Sequence, residues 1–193
     1  VNLMLNSELH AEANIMGGWQ LINDTIQDRT LYTGLLAHYS QGFMAMDENK
    51  DSFVDMPKTQ HANLVNRWLY RQGDYTFQAF VRGLYDTRLG GQLADTIANP
   101  YHIDLNTWRV EGFMKNGYVF DPISGSSVAV IVAASYHDQK NKYGNKAWNA
   151  SQLNAYLNAI YQGNWEGGGL IDNDHRLSAG LSLNYDRYKE NLS

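Results

Sequence analysis

The chain has 193 residues, 44% apolar and 12% aromatic, with 17 Gly, 3 Pro, no Cys and a net charge of −5. That length can fill one ordinary domain. A negative charge with no Lys/Arg cluster excludes a nucleic-acid footprint, and the lack of Cys excludes disulfides, Cys-ligated metals and a thiol nucleophile. The longest strictly apolar run, 128–134, is far short of the ~20 residues of a membrane helix. A membrane barrel stays open, because its outward face is written as alternation and leaves mean hydropathy low.

Period-2 alternation organises the whole chain and predicts about nine strands. Residues 1–6 alternate from the outset without an initiator Met, which reads as a segment that follows a removed N-terminal part. Strands are next expected at 9–23 and 28–40, the latter with Leu31, Thr33, Leu35, Ala37 and Tyr39 on one face. After a polar stretch come 61–71 and 75–85, where Tyr75, Phe77, Ala79, Val81 and Tyr85 oppose Gln78, Arg82 and Asp86. Strands at 105–120 and 126–138 follow. The cleanest pattern spans 152–165, with Leu153, Ala155, Leu157, Ala159, Tyr161 and Trp165 on one face and Tyr156 and Ile160 as exceptions on the other. The last strand, 175–188, sets Leu177, Ala179, Leu181, Leu183 and Tyr185 against Arg176, Ser178, Ser182, Asn184 and Asp186.

These segments exceed the roughly 5–6 residues of a globular strand and match the about 9–11 of a tilted membrane strand. Connectors near 24–28, 72–74 and 121–125 are short, and those near 41–60, 87–104 and 139–147 are longer, as in outer-membrane barrels. The connector at 163–174, with Gly167, Gly168 and Gly169, is longer than that rule wants. Tyr39, Tyr75, Tyr85, Tyr136, Trp165 and Tyr185 stand near the ends of apolar faces, where interfacial aromatics belong. The expected fold is therefore all-β: an antiparallel transmembrane β-barrel, of which residues 1–193 supply about nine strands. Nine are too few for a wide transporter pore.

The sharpest motif lies between Met46 and Pro57. Asp47, Asn49, Asp51, Phe53 and Asp55 fall at positions 1, 3, 5, 7 and 9, with Phe53 offering a backbone carbonyl. That spacing lets a tight loop surround Ca²⁺, a hard cation that takes 6–8 oxygens. Ser52 replaces the Gly of position six, Lys58 replaces the bidentate Glu of position twelve, and no EF-hand helices flank the loop. The affinity is expected to be modest unless Asp86, Asp95 or Asp104 from the neighbouring long loop completes the shell. The alternative is a solvated acidic loop whose Asp and Asn make local turns.

Arg67, Arg82, Arg109, Glu111 and Asp186 share the polar faces of their strands and are expected to pair across them. Gly125-Ser126-Ser127 is not a nucleophile elbow, no phosphate-binding Gly loop occurs, and the six scattered His lack zinc spacing. Nothing in the sequence argues for an enzyme.

Several stretches together resemble the barrel portion of TonB-dependent outer-membrane receptors, specifically the cobalamin-receptor-like branch of Bacteroidota. They are 1–5, 34–40, the Asp-rich loop ending Asp55-Met56-Pro57, Asn66-Arg67-Trp68, 84–86 with 90–92, 117–120, 135–139 and 184–186. The resemblance implies a barrel of roughly 22 strands in the cell outer membrane, with an N-terminal plug that this chain lacks. It implies uptake of a scarce nutrient, such as cobalamin, another corrinoid or a metal chelate. The energy would come from the TonB complex acting through the missing N-terminal region. A surface lipoprotein is a further implied partner, beside lipid and the small-molecule nutrient. Receptors of this kind bind Ca²⁺ in aspartate-bearing outer loops, which bears on Asp47, Asn49, Asp51 and Asp55. Two other readings fit the residues: a soluble Ca²⁺-dependent carbohydrate-binding β-sandwich, and a small closed outer-membrane barrel with an adhesion or structural role.

Overall fold

The computed structural model describes residues 1–7, 9–93, 99–166 and 174–193; at 164–166, 174 and 175 only the backbone is described. The strands are β1 (Asn2–Leu5), β2 (His10–Asp24), β3 (Arg29–Gly42), β4 (Lys58–Gln72), β5 (Tyr75–Gly91), β6 (His102–Asp121), β7 (Ser126–Tyr143), β8 (Lys146–Glu166) and β9 (Asp174–Leu192). They form one antiparallel sheet in chain order, β1 to β9, and there is no helix among the described residues. Each strand pairs with its sequence neighbours, the meander that short connections favour. All nine expected strands are present.

Most strands run past the ends that alternation marks. β7 continues through Gln139–Lys142 and β8 begins at Lys146, so the longer loop expected at 139–147 is a two-residue turn at 144–145. Hydrophobic alternation fades there because Asp138, Lys140 and Lys142 occupy the face that is apolar farther down the strand. Gly144 has φ +60°, which fits Gly at the first position of a tight hairpin turn. The connector expected at 163–174 also shortens, because β8 and β9 pair out to Glu166 and Asp174. Gly167, Gly168 and Gly169 lie outside the described residues.

The connectors sort only partly by side of the sheet, since the two-residue turn 144–145 shares its side with the long loops and 167–173 joins β8 to β9 on the side of the short turns. On one side, 25–28, 73–74 and 122–125 are short. Asp24 Oδ1 accepts from the Ile26 and Gln27 N–H groups (3.0 and 3.1 Å), and its other oxygen meets Arg29 at 3.1 Å. Gly73 and Gly125 supply the positive φ that the other two turns require. The opposite side carries 43–57 and 92–101. Single-residue irregularities between Gln20 and Ile22 and between Val119 and Asp121 shift the register near the short-turn side.

A conventional core is nearly absent. Among the described residues Ala150 at 6% and Asn141 at 7% exposure are the buried non-glycine side chains, and no large side chain is fully buried. A globular chain of 21.9 kDa exposes about 9,300 Å². This sheet exposes 13287 Å², roughly 4,000 Å² more, as expected when neither face is covered by a second layer. The outer edge of β9, and that of β2 from Ile15 onwards, has no strand partner among the described residues.

Candidate functional site

The ladder register assigns every strand residue to one of two faces. Along β6, Trp108, Val110, Gly112, Met114 and Tyr118 lie on the face shared by Tyr85, Val81, Phe77 and Tyr75 of β5. Across the sheet the same face carries Ile15, Leu35, Ala37, Leu64, Val130, Val132, Leu153, Leu157, Leu181 and Leu183. The other face carries Glu12, His38, His61, Arg67, Arg82, Asp86, Arg109, Glu111, Asn154 and Asp186. The polar face is mixed, for it also carries Met16, Leu36, Val65, Phe80, Leu84 and Phe113, with Phe80 and Phe113 stacked at 5.5 Å.

Aromatics fringe the apolar face at both ends. Tyr39, Tyr85, Trp108, Tyr136 and Tyr185 stand toward the long-loop side, with the Trp108 and Tyr136 rings 5.1 Å apart. Trp19, Trp68, Tyr70, Tyr75, Tyr118 and Tyr161 stand toward the short turns, with Tyr70 and Tyr75 in edge contact at 6.1 Å. The side chain of Trp165 lies outside the described residues. From Trp108 to Tyr118 the strand rises about 34 Å. At the 35–45° tilt of membrane strands that becomes a band about 24–28 Å tall, beside the about 25 Å of an outer-membrane barrel.

Polar groups inside this band bond to one another. Asn66 donates to Thr33 Oγ1 and the Gly34 carbonyl (3.2 and 3.1 Å) and accepts from the Trp68 indole N–H. The Thr33 hydroxyl donates to the Arg67 carbonyl at 3.1 Å, and the Tyr75 hydroxyl donates to Asn116 at 2.6 Å. An unsatisfied group in hydrocarbon costs several kcal/mol, so local closure of this kind suits a lipid-facing surface.

On the polar face the expected cross-strand pairing is present for three of the five charged residues, Arg82, Glu111 and Asp186, while Arg109 pairs along its own strand. Glu111 meets Arg82 at 3.3 Å and Arg109 at 2.7 Å, and Arg82 Nε donates to Asn63 at 3.1 Å. Asp186 accepts from Gln152, Asn154 and Asn184. Arg67 lies on this face, with its carbonyl held by Thr33. The two exceptions in β8 also lie here, and Asn158 donates to the Tyr156 hydroxyl at 2.8 Å.

The Asp-rich loop is closed by its own backbone. Met46 and Met56 form a bridge at its neck. Asp47 accepts from Lys50, Asp51 and Ser52, with Lys50 and Ser52 at positive φ. Asn49 Oδ1 accepts from the Asp51 N–H, and Asn49 Nδ2 donates to Asp51 Oδ2 at 3.1 Å. Asp51 Oδ1 accepts from the Phe53 N–H at 2.8 Å, and Asp55 Oδ2 accepts from Glu48 and Asn49. The five expected ligand residues therefore sit in one loop of hard oxygen donors. The Asp47, Asn49 and Asp51 oxygens and Asp55 Oδ2 accept N–H groups of the loop, and an oxygen that accepts one of them keeps a further lone pair. Among the described residues no three or more His, Asp or Glu side chains converge as a metal group. Asp86 is engaged by His61 and Arg88 on the polar face, Asp104 belongs to the opposite face, and Asp95 lies outside the described residues.

The loop is also seated against its neighbour. Phe53 bridges Gln92, the Val54 N–H donates to the Gly91 carbonyl at 2.8 Å, and the Leu93 N–H donates to the Ser52 carbonyl at 3.0 Å. Single-strand patterns could not have revealed this seam, because it depends on the register between β4 and β5. Comparison with family models, curated proteins and solved structures gives no match.

Proposed function

We propose that this sheet is a stretch of the wall of an outer-membrane β-barrel, with its apolar face toward lipid and its polar face toward the lumen. The observation that carries the reading is the apolar band bounded by two aromatic rows, whose height fits the hydrocarbon layer. A two-sheet sandwich would cover that face with a second layer, and all the described strands lie in one sheet. Polar residues on the opposite face and long loops on one side suit a wide water-filled barrel rather than a packed small one. Further strands would pair with the free edges and close the wall, toward the roughly 22 strands of a TonB-dependent receptor.

On this reading the barrel imports a scarce nutrient too large or too dilute for passive diffusion, such as a corrinoid or a metal chelate. TonB would supply the energy, and the 43–57 and 92–101 loops would stand outside the cell. Asp47, Asn49, Asp51, Asp55 and the Phe53 carbonyl would supply the oxygen ligands of Ca²⁺. Bound Ca²⁺ would stiffen the outer loop.

Fractionating the producing cells, with an antibody against residues 43–57, tests the location. Recovery in the outer membrane is expected, together with loss of labelled-cobalamin uptake when the gene is deleted. Recovery in the soluble fraction overturns the wall reading; unchanged uptake of cobalamin and of metal chelates overturns the import reading. Calorimetry with Ca²⁺ tests the loop: heat in the wild type that is lost in Asp47→Asn supports it, and no heat removes it.

A further inference from the structure

Two histidines that no sequence motif singles out meet on the polar face. His38 of β3 and His61 of β4 are diagonal neighbours, since His61 pairs with Ser40 and His38 with Asn63. Their ring centres are 5.3 Å apart and tilted by 58°. Both side chains keep about 30% of their surface open, at 31% and 29%.

Partners fix the tautomer of each ring. Asn14 donates its Nδ2 to Glu12 Oε1 at 2.5 Å, which leaves its Oδ1 as an acceptor toward His38 Nδ1 at 2.7 Å. Asp86 Oδ2 stands 3.1 Å from His61 Nδ1, and a carboxylate can only accept there. Both Nδ1 atoms therefore carry a proton, so in the neutral ring Nε2 is the nitrogen with the lone pair. Nε2 has no hydrogen-bond partner on either ring among the described residues. Arg88 holds the second Asp86 oxygen at 3.1 Å and so anchors the orienting group.

A histidine whose Nδ1–H is held by a carboxylate or carbonyl while Nε2 stays free is the arrangement that metal-ligating histidines use. Two imidazoles sharing one ion at a tetrahedral angle, with 2.0–2.1 Å bonds, would place their ring centres about 5.2 Å apart. The observed 5.3 Å matches that centre-to-centre distance. We infer that His38 and His61 form a two-nitrogen site for an imidazole-preferring divalent transition metal, oriented by Asn14 and Asp86. Its remaining positions stay open to water or to the ion's own chelator, because no third ligand converges among the described residues. Imidazole donors suit Zn²⁺, Cu²⁺ and Ni²⁺; the tetrahedral spacing is that of Zn²⁺, and the 90° angle of Cu²⁺ or Ni²⁺ would draw the ring centres in to about 4.5 Å. The site lies beside Tyr39 in β3, near the long-loop end of the band. It does not depend on nutrient import, and it stands equally in a wall of another purpose.

The test uses the polypeptide that the cell makes, purified in detergent, with Cu²⁺ as one probe and Ni²⁺–nitrilotriacetate, which leaves two adjacent positions open, as the other. Electron paramagnetic resonance of the copper form should show coupling to two imidazole nitrogens. His38→Gln and His61→Gln should each weaken binding at least 10-fold, and Asp86→Asn should weaken it about 10–100-fold while both ligands remain. Binding of the nickel chelate with the same variant pattern identifies a site that accepts a chelated ion; copper binding alone identifies one for the aquated ion. Circular dichroism checks that the variants keep their sheet, and the conservative Asp86→Asn carries the test should a histidine variant misfold. Unchanged nitrogen coupling and affinity in both histidine variants, or no binding below millimolar Cu²⁺, overturns the inference.

Discussion

Val81→Arg separates a lipid-facing sheet from a water-facing one. Val81 lies on the apolar face of β5, four residues from Phe77 and four from Tyr85, and is 58% exposed. Its cross-strand neighbours are Asn66 and Gly112, so a longer side chain meets no packed wall. In water such an exchange is a surface substitution, worth within about 0.5 kcal/mol. At the middle of a band about 25 Å tall, an Arg reaching about 7 Å cannot bring its guanidinium to either interface. The cost is then about 2–4 kcal/mol, a factor of roughly 30 to 900 in the folded population. Reversible urea unfolding in lipid vesicles, followed by tryptophan emission, reads the difference. Val65→Arg, which pairs with Arg82 on the polar face, is the control and should cost clearly less. A loss below about 0.5 kcal/mol for Val81→Arg, or equal losses for the two variants, would refute the assignment of faces.

Other expectations concern the polar face and the loop seam. Glu111→Ala should cost about 1 kcal/mol, since the groups it pairs are partly exposed and a network of three is broken. In the cycle with Arg82→Ala the double variant should lose less than the sum of the two single losses, and strict additivity would count against a coupled brace. Gly91 has φ +105°, and a Cβ there would lie 2.0 Å from the Tyr101 carbonyl oxygen. Gly91→Ala should therefore unseat the 52–54 seam while leaving strand content intact. Limited trypsin digestion at Lys50 and Lys58 should speed up several-fold, and an unchanged cleavage rate would mean that the seam does not hold the loop.

Local pattern was enough to read the strands, because face and periodicity are properties of each segment alone. Leu31, Leu35, Ala37 and Tyr39 share a face in the structure as their spacing demands. Strand ends were harder. Past Asp138 both faces are polar, so period-2 contrast disappears although the ladder continues to Tyr143. Partners between strands could not be read at all, since a one-residue change of register exchanges the two faces. His38 and His61 lie 23 positions apart in the sequence, and only the β3–β4 register brings their rings together. Glu111 likewise stands next to Arg109 along one strand, but its meeting with Arg82 needs the β5–β6 register. For the Asp-rich loop, spacing located the oxygen donors, whereas their present engagement with backbone N–H groups depends on the positive φ of Lys50 and Ser52.

The free edges carry the last consequence of the membrane reading. β9 runs from Asp174 to Leu192, and about half of its N–H and C=O groups point away from β8. Those groups tolerate water, but in hydrocarbon each would cost several kcal/mol, and a row of them would outweigh the whole stability of an ordinary domain. A sheet embedded in lipid must therefore have its β9 edge paired, by further strands of the same polypeptide or by another chain. Hydrogen exchange in lipid, read residue by residue, decides the matter. The inward N–H groups of β9 are protected by β8 in any case, so the outward set in the apolar stretch 177–185 is the informative one. Protection of both alternating sets is expected. Rapid exchange of the outward set alone, at the rate of exposed amides, would mean that this edge meets water and that the sheet does not stand in a bilayer as a closed wall.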